Sequence, residues 1–295
     1  MHFSWIELFQ GNSEVIDLFL TSRLPRLLSI ILVGIGLSIS GLILQQLVRN
    51  KFVSPSTAAT ADSARLGIIV TLILLPQISN IQRSLFAFIF AMIGTALFVF
   101  FISKIKFKDL IFTPLVGLML GMVIDSITSF LALRYDLMQV LSSYMLGNFT
   151  LTIKGRYELL YLLIPTIFIT YIYARSFNIA ALGREYASNL GLNYNRVMII
   201  GIIIISVNSS IIISTIGNIS FVGLIIPNIV SLMYGDKIDN TLSLTAMFGT
   251  IFLLGADIVS RLIIYPYEIP ISLTVGILGS IIFLILVFRG SKNEW

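Results

Sequence analysis

The chain has 295 residues, of which 57% are hydrophobic and only 11% are charged. Soluble globular domains carry about 25% charged residues, so this composition excludes a soluble globular domain. It indicates a protein that crosses a membrane several times. The net charge of +5 comes from basic residues scattered between apolar runs, which is typical of membrane loops and not of a nucleic-acid-binding surface. With no cysteine and with His2 as the single histidine, the sequence predicts no bound cofactor and no metal site.

Nine apolar runs are candidates for membrane spans, since a helix needs about 20 apolar residues to cross the hydrocarbon core. They cover residues 27–48, 57–75, 84–102, 110–133, 157–174, 197–215, 219–234, 242–262 and 271–288. Residues 1–22 are too polar to span and lack a signal-peptide pattern, so we expect a surface segment at the outer face. Residues 23–295 then form a single all-α transmembrane domain.

The distribution of Lys and Arg predicts the orientation of the spans. When successive loops are assigned to alternate sides of the membrane, eleven Lys and Arg residues lie on one side and seven on the other. The side with eleven is expected to be cytoplasmic. Segment 176–196 is then cytoplasmic, with Met1 outside and Trp295 inside.

Charged and small residues mark two of the predicted spans. Asp62 and Arg65 stand three residues apart, and a lone charge at this depth costs about 2.5–3.5 kcal/mol, so we expect an intramembrane ion pair; a place on the transport pathway is the alternative. A second helix carries a small or polar residue at every fourth position: Thr113, Gly117, Gly121, Asp125 and Ser129. This ribbon permits close helix packing, but Asp125 must face protein or water, and we hypothesise that the ribbon lines a translocation pathway.

Residues 181–196 form the one long polar stretch between two spans, with a short water-facing helix and a glycine stop at Gly191. The stretch is either an ordinary solvated loop or a docking site for another protein. Because no G-x-x-x-x-G-K-[ST] phosphate loop occurs, transport driven by ATP would need a separate ATPase, which we expect to dock here.

Two short segments, residues 50–55 and 218–223, resemble one another and follow helices of opposite direction. This pattern favours an inverted repeat with broken helices near the membrane midplane.

Six motifs in a fixed order resemble those of a known family. They are Arg23-Leu24-Pro25-Arg26; Ser40-Gly41 with Gln45, Arg49-Asn50 and Pro55; Leu182-Gly183 with Ala187 and Leu190-Gly191; Ile219 to Pro227; Gly255-Ala256-Asp257 with Arg261; and Glu268-Ile269-Pro270 with Gly276 and Gly279. Over residues 20–290 the chain resembles the FecCD family, the permease subunits of binding-protein-dependent ABC importers for iron-siderophores, haem and vitamin B12. Residues 54–57 and 62–67 are most similar to permeases for catecholate siderophores.

The resemblance implies a BtuC-like multi-helix permease in the bacterial cytoplasmic membrane, with ATP hydrolysis on a separate subunit. The implied partners are two cytoplasmic ABC ATPase subunits, an extracytoplasmic substrate-binding protein or lipoprotein, and a second permease copy, identical or paralogous. The family's ATPase-coupling segment matches Leu182, Gly183, Arg184, Glu185, Ala187, Leu190 and Gly191. Its docking arginines match Arg23, Arg26 and Arg261. Alternatively, the first two anchor a helix end at headgroup level, and Arg261 pairs with Asp257 at i,i+4.

The family has ten helices, one of them before the Arg-Leu-Pro-Arg motif, whereas only 22 residues precede Arg23 here. We expect that the start codon is assigned too far downstream; a nine-helix variant is the alternative.

Two other classes compete with an ABC permease. A secondary transporter or channel driven by an ion gradient would use Asp62, Asp125 and Asp257 as proton or cation carriers, although arginines near Asp62 and Asp257 argue against it. A membrane enzyme is disfavoured because no H-E-x-x-H or G-x-S-x-G motif occurs. The sequence leaves open which chelate is carried and whether the dimer is homomeric.

Overall fold

The computed structural model describes residues 13–104, 112–150 and 152–290. Regular structure in these ranges is helical, without a β-strand, which confirms the predicted all-α fold. In chain order the helices are α1 (Ser13–Leu18), α2 (Leu24–Val48), α3 (Thr60–Leu74), α4 (Asn80–Lys104), α5 (Phe112–Arg134), α6 (Met138–Met145), α7 (Leu163–Ala181), α8 (Arg184–Asn189), α9 (Tyr194–Thr215), α10 (Val222–Tyr234), α11 (Ile238–Leu262) and α12 (Ile271–Gly290). A π-helical turn (Phe19–Arg23) joins α1 to α2, and a 3-10 turn (Glu158–Leu162) precedes α7.

A helix lies at each of the nine predicted spans, but nine membrane crossings are not confirmed. Six helical segments of the described ranges are long and apolar enough to cross: Ser13–Val48, Asn80–Lys104, Phe112–Arg134, Glu158–Ala181, Tyr194–Thr215 and Ile238–Leu262. Helices α3 and α10 have 15 and 13 residues. At 1.5 Å per residue they extend only about 20 Å, against a hydrocarbon core of about 30 Å.

The predicted surface segment is helical where the structure describes it. From Ser13 the chain forms one helical stretch of 36 residues that continues to Val48. Pro25 would clash with a carbonyl one turn earlier in a regular α-helix, and the wider π-helical turn directly before α2 accommodates it. Residues 1–12, and with them the predicted position of Met1, lie outside the described residues, as does Trp295.

Helix α2 is the centre of the bundle. Eighteen of its 25 residues are buried, so it has no solvent-facing stripe, which is typical of a helix surrounded on all sides. It packs against α7, α9, α10 and α11. One aliphatic cluster surrounds its first half, around Ile30 and Val33, and another surrounds its second half, around Ile43 and Leu47.

Glycines allow two helices to lie directly against α2. A Cβ added to Gly41 would lie inside van der Waals distance of the Gly223 backbone in α10, and one added to Gly34 would lie 2.8 Å from the Thr250 Cα in α11. Small residues at such positions let helix backbones touch. The glycine of the Ser40-Gly41 motif is therefore a packing requirement.

We expect Gly41→Ala to lower the melting temperature of the purified protein, because the methyl group would push α10 away from α2 at a cost of about 1–3 kcal/mol. The matched control is Gly255→Ala in α11, where the added Cβ would meet no atom of another helix within 4 Å. There alanine should be neutral or stabilising by about 0.5–1 kcal/mol. Equal melting temperatures for the two variants would contradict the close contact.

The two segments of the predicted repeat meet inside the bundle. Pro55 Cδ lies 3.4 Å from the Cβ position of Gly223. Residues of both segments, among them Ser54 and Asn218, line one small cavity of ≈ 20 Å³. The short helices α3 and α10 begin next to these segments, so the non-helical backbone is covered by protein and not by lipid.

Two ends of the bundle can be distinguished by their contacts. Arg26, Asp257 and Glu268 meet at one end, which we call the outer end after the predicted orientation. Lys51 and Asp236 form an ion pair of 3.0 Å at the other end, which we call the inner end.

Candidate functional site

Helix α8 forms a short bracket between α7 and α9 at the inner end. Its six residues are bounded by Gly183, with φ of +102°, and Gly191, with φ of +79°. Both angles lie in the left-handed region that favours glycine. The turns are closed by the Ala187 N–H, which donates to the Gly183 carbonyl (2.9 Å), and by the Leu192 N–H, which donates to the Ala187 carbonyl (3.0 Å). The glycine spacing of the predicted coupling segment is therefore imposed by the backbone.

Two of the predicted coupling residues anchor the bracket to the bundle. Gly183 and Ala187 are buried, and a Cβ on Gly183 would lie 2.8 Å from a guanidinium nitrogen of Arg49, at the end of α2. Gly183 at the start of α8 therefore lies close to Arg49 at the end of the central helix.

The remaining predicted coupling residues are exposed. Leu182 and Leu190 are 53% and 63% exposed, and the exposed charged residues between them are Arg184 and Glu185. Tyr186 is 69% exposed and is not among the predicted coupling residues. The one feature of the sequence that could have indicated it is that it is an aromatic residue in a polar helix. Exposed apolar side chains on a short projection mark a surface suited to contact another protein.

The predicted docking arginines lie at the outer end, where Arg26 and Arg261 form ion pairs within the chain. Arg26 donates from Nη2 to Asp257 Oδ1 and from Nη1 to Glu268 Oε2, both at 2.7 Å. Arg261 Nη2 lies 2.6 Å from Asp257 Oδ2, the i,i+4 pair that the sequence offered as the alternative. This outer charge cluster joins the start of α2, the end of α11 and the loop before α12. Arg23 is exposed and lines a groove with Arg26 and Arg261.

The four members of the outer charge cluster differ in burial. The side chains of Arg26 and Asp257 are 14% and 6% exposed, whereas those of Glu268 and Arg261 are 29% and 32% exposed. Burial raises the pKa of Glu268, but the hydrogen bonds from Arg26 and Thr150 and the charges of Arg26 and Arg261 outweigh burial and hold that pKa below its ordinary value. Glu268 is therefore ionised at neutral pH, and the cluster carries two positive and two negative charges.

A cavity of ≈ 590 Å³ lies between α6 and the end of α9, next to the outer charge cluster. Its polar lining consists of Asn80, Ser142, Ser143, Tyr144, Asn148, Thr152, Arg156, Ser214 and Thr215. Arg156 is the cation of this wall and forms no ion pair with the described residues. Separate segments of the chain contribute the lining, so sequence reasoning did not find this cavity.

An ion triad joins α3 to α5. Arg65 contacts Asp62 on its own helix, and its Nη2 also lies 3.1 Å from Asp125 Oδ1. The Arg65 side chain is only 6% exposed, whereas that of Asp125 is 34% exposed. The structure thus brings the predicted pair and one residue of the predicted ribbon into a single group.

The rest of the ribbon on α5 packs mainly inside the chain. Thr113, Gly117 and Gly121 are buried, and Ser129 is half-buried. A Cβ on Gly117 would lie 2.9 Å from the Phe98 ring. Close packing explains these small residues, and the translocation role of the ribbon stays a prediction.

Comparison with known proteins identifies the family. The model of the FecCD transport family matches residues 2–289. The chain belongs to this family. The resemblance predicted from the six motifs is confirmed.

Two relatives of this FecCD chain have named transport systems. It is 50% identical over 284 residues to the petrobactin import system permease protein YclN of Bacillus subtilis strain 168, a match that covers 96% of this chain and 90% of the relative. It is 38% identical over 273 residues to the ferric-anguibactin transport system permease protein FatD of Vibrio anguillarum, which covers 92% of this chain and 87% of the relative.

A solved structure of a metal-chelate-type ABC transporter in an inward-facing conformation shares the fold. Its TM-score is 0.80 at 23% identity, with coverage of 94% of this chain and 89% of that chain. At this identity the likeness concerns the fold alone.

Proposed function

We propose that this FecCD protein is the membrane-spanning subunit of an ABC importer that takes up ferric siderophores. The observation that carries the proposal is the family match over residues 2–289 together with 50% identity to a petrobactin permease. The chain would form the conduit, and ATP hydrolysis would take place on a separate subunit.

The two ends of the bundle fit two different partners. At the inner end, the bracket of α8 presents Leu182, Tyr186 and Leu190 to an ATPase and is anchored to α2 through Gly183 and Arg49. At the outer end, Arg23 and the outer charge cluster would receive carboxylates of a substrate-binding protein, because guanidinium groups bind carboxylates in a bidentate manner. Two ATPases and a second permease copy complete the proposed complex in the bacterial cytoplasmic membrane.

The outer cavity suits a polar, anionic cargo. Hydroxyl and amide groups line it, and Arg156 supplies one positive charge. Ferric chelates with catecholate and carboxylate groups are large and carry negative charge, so hydroxyl and amide groups and one cation on the wall attract them without binding them tightly.

The described ion pairs disfavour a carrier driven by an ion gradient. Asp62 and Asp125 both contact Arg65, and Asp257 contacts Arg26 and Arg261. Each carboxylate is thereby occupied by a guanidinium group, whereas a proton carrier needs a carboxylate that is free to bind and release a proton.

Reconstitution tests the proposal. Vesicles that contain this permease, its ATPase and its binding protein should accumulate a labelled ferric catecholate chelate only when ATP is supplied to the ATPase side. Vesicles with ATPase inactivated in its phosphate-binding loop serve as the control. Uptake by the permease alone under a proton or sodium gradient would refute the proposal in favour of a secondary transporter.

A further inference from the structure

The outer charge cluster is already complete without a partner protein. Arg26 binds two carboxylates of its own chain, and Arg261 binds one. Each guanidinium nevertheless retains a buried Nε for which the described residues provide no hydrogen-bond partner. A docking carboxylate must therefore either add to a neutral cluster or replace one of the internal carboxylates.

We propose that Glu268 occupies the position on Arg26 that a carboxylate of the binding protein takes in the docked complex. Docking then exchanges Glu268 for the carboxylate of the partner. This inference rests on the proposed function, since it presupposes an acidic protein partner at the outer end. The ion pair between Glu268 and Arg26, which we call the latch, is then present in the isolated permease and broken in the docked complex.

Glu268, and not Asp257, is the carboxylate that can leave. Asp257 lies within helix α11, is 6% exposed, and is held by two arginines. Glu268 lies in the loop between α11 and α12, and its side chain is 29% exposed. Once released, Glu268 can be solvated by water, whereas Asp257 would remain buried and unpaired.

Exchange also explains why the arginines are paired before docking. A guanidinium as buried as Arg26 is costly without a counter-charge. Replacing one carboxylate by another keeps the number of ion pairs constant, so the free energy of the exchange is small. Docking can then be reversible, as a transport cycle requires.

Release of Glu268 would reach the wall of the outer cavity. Glu268 Oε2 accepts a hydrogen bond from Thr150 Oγ1 (3.1 Å), and the Thr150 backbone N–H donates to Asn148 Oδ1 (2.8 Å). Asn148 lines the cavity. The chain Arg26–Glu268–Thr150–Asn148 therefore links the docking arginines to the entrance that cargo would use.

A Glu268→Gln variant tests the latch in the complete complex of permease and ATPase in lipid nanodiscs. We titrate the substrate-binding protein of the proposed importer and measure ATP hydrolysis. The half-maximal concentration should fall by about two- to fivefold, the range expected for one partly exposed ion pair. The matched control is Glu158→Gln, which removes the same charge from an exposed residue whose carboxylate accepts a bond from the Gly155 N–H and not from Arg26.

A second measurement needs no partner. Because the chain contains no cysteine, spin labels can be placed by Met145→Cys at the end of α6 and Tyr267→Cys next to Glu268, both exposed. Glu268→Gln should lengthen or broaden the distance distribution between the labels, as should binding-protein addition to the labelled chain that retains Glu268. Thr150→Val removes one hydrogen bond to Glu268, so it should lower the half-maximal concentration by less than Glu268→Gln does and should remove the response of the distance to docking.

The two readouts separate the latch from the docking proposal. If Glu268→Gln changes neither the half-maximal concentration nor the distance in a stably folded complex, the latch is refuted. If Arg23→Glu leaves stimulation by the binding protein intact, the docking assignment fails. The distance between the labels, measured without the binding protein, then still shows whether the Glu268 contact fixes the position of the cavity wall.

Discussion

A permease that carries both Tyr186→Glu and Leu190→Glu should be purified without its ATPase. These side chains are 69% and 63% exposed on the bracket of α8, so the substitutions disturb no packing within the chain. Burying two apolar side chains contributes about 3 kcal/mol or more to a contact, so their loss should weaken binding by at least about 100-fold. Placing carboxylates in an apolar groove adds a further desolvation cost.

Co-purification on a tag carried by the permease measures this effect. Tyr186→Phe with Leu190→Met keeps the apolar surface and should retain the ATPase. Asn240→Glu adds a charge at an exposed residue of the inner end outside the bracket and should also retain it. Stoichiometric ATPase on the doubly charged variant would show that the bracket is an ordinary solvated loop.

The substitution Arg65→Leu should strongly destabilise the permease. Arg65 is 6% exposed and contacts Asp62 and Asp125, so its removal leaves two carboxylates without a counter-charge. Breaking a buried ion pair in this way costs about 3–5 kcal/mol. The melting temperature in detergent should fall steeply, and the yield of folded protein should fall with it.

Two variants determine the origin of this loss. Asp62→Asn combined with Arg65→Gln removes the buried pair together and should recover most of the stability, because neutral replacement of a buried pair costs little. Asp125, which is left without Arg65, is 34% exposed and can be solvated. Asp125→Ala leaves the contact between Arg65 and Asp62 in place and should melt near the unmodified protein. If Asp125→Ala also transports normally, the ribbon on α5 serves packing alone, and its pathway role is wrong.

The ion pairs show which contacts could be predicted from the sequence and which could not. Spacings of three and four residues predicted Asp62 near Arg65 and offered Asp257 as a partner of Arg261, because such neighbours lie on one helix face. The salt bridges of Arg65 with Asp125 and of Arg26 with Glu268 join residues 60 and 242 positions apart. No local periodicity encodes these distances.

The number of membrane crossings shows a similar division. Apolar runs located helices at all nine predicted spans, but hydropathy cannot distinguish a full crossing from a short helix that starts inside the bundle. Helices α3 and α10 are short because non-helical segments precede them, and those segments are tolerated only where other helices cover them. Coverage is a property of packing and is absent from a hydropathy profile.

The sequence by itself determined the all-helical membrane class, the glycine-bounded bracket of α8 and the family, because composition, turn geometry and motif order are local properties of the chain. Only the tertiary structure decided that Arg26 and Arg261 are paired with Asp257 and Glu268, and that a cavity lined in part by polar side chains and Arg156 lies beside them. These features depend on side chains from distant segments meeting at one end of the bundle, and their charges are compensated only after the helices have packed.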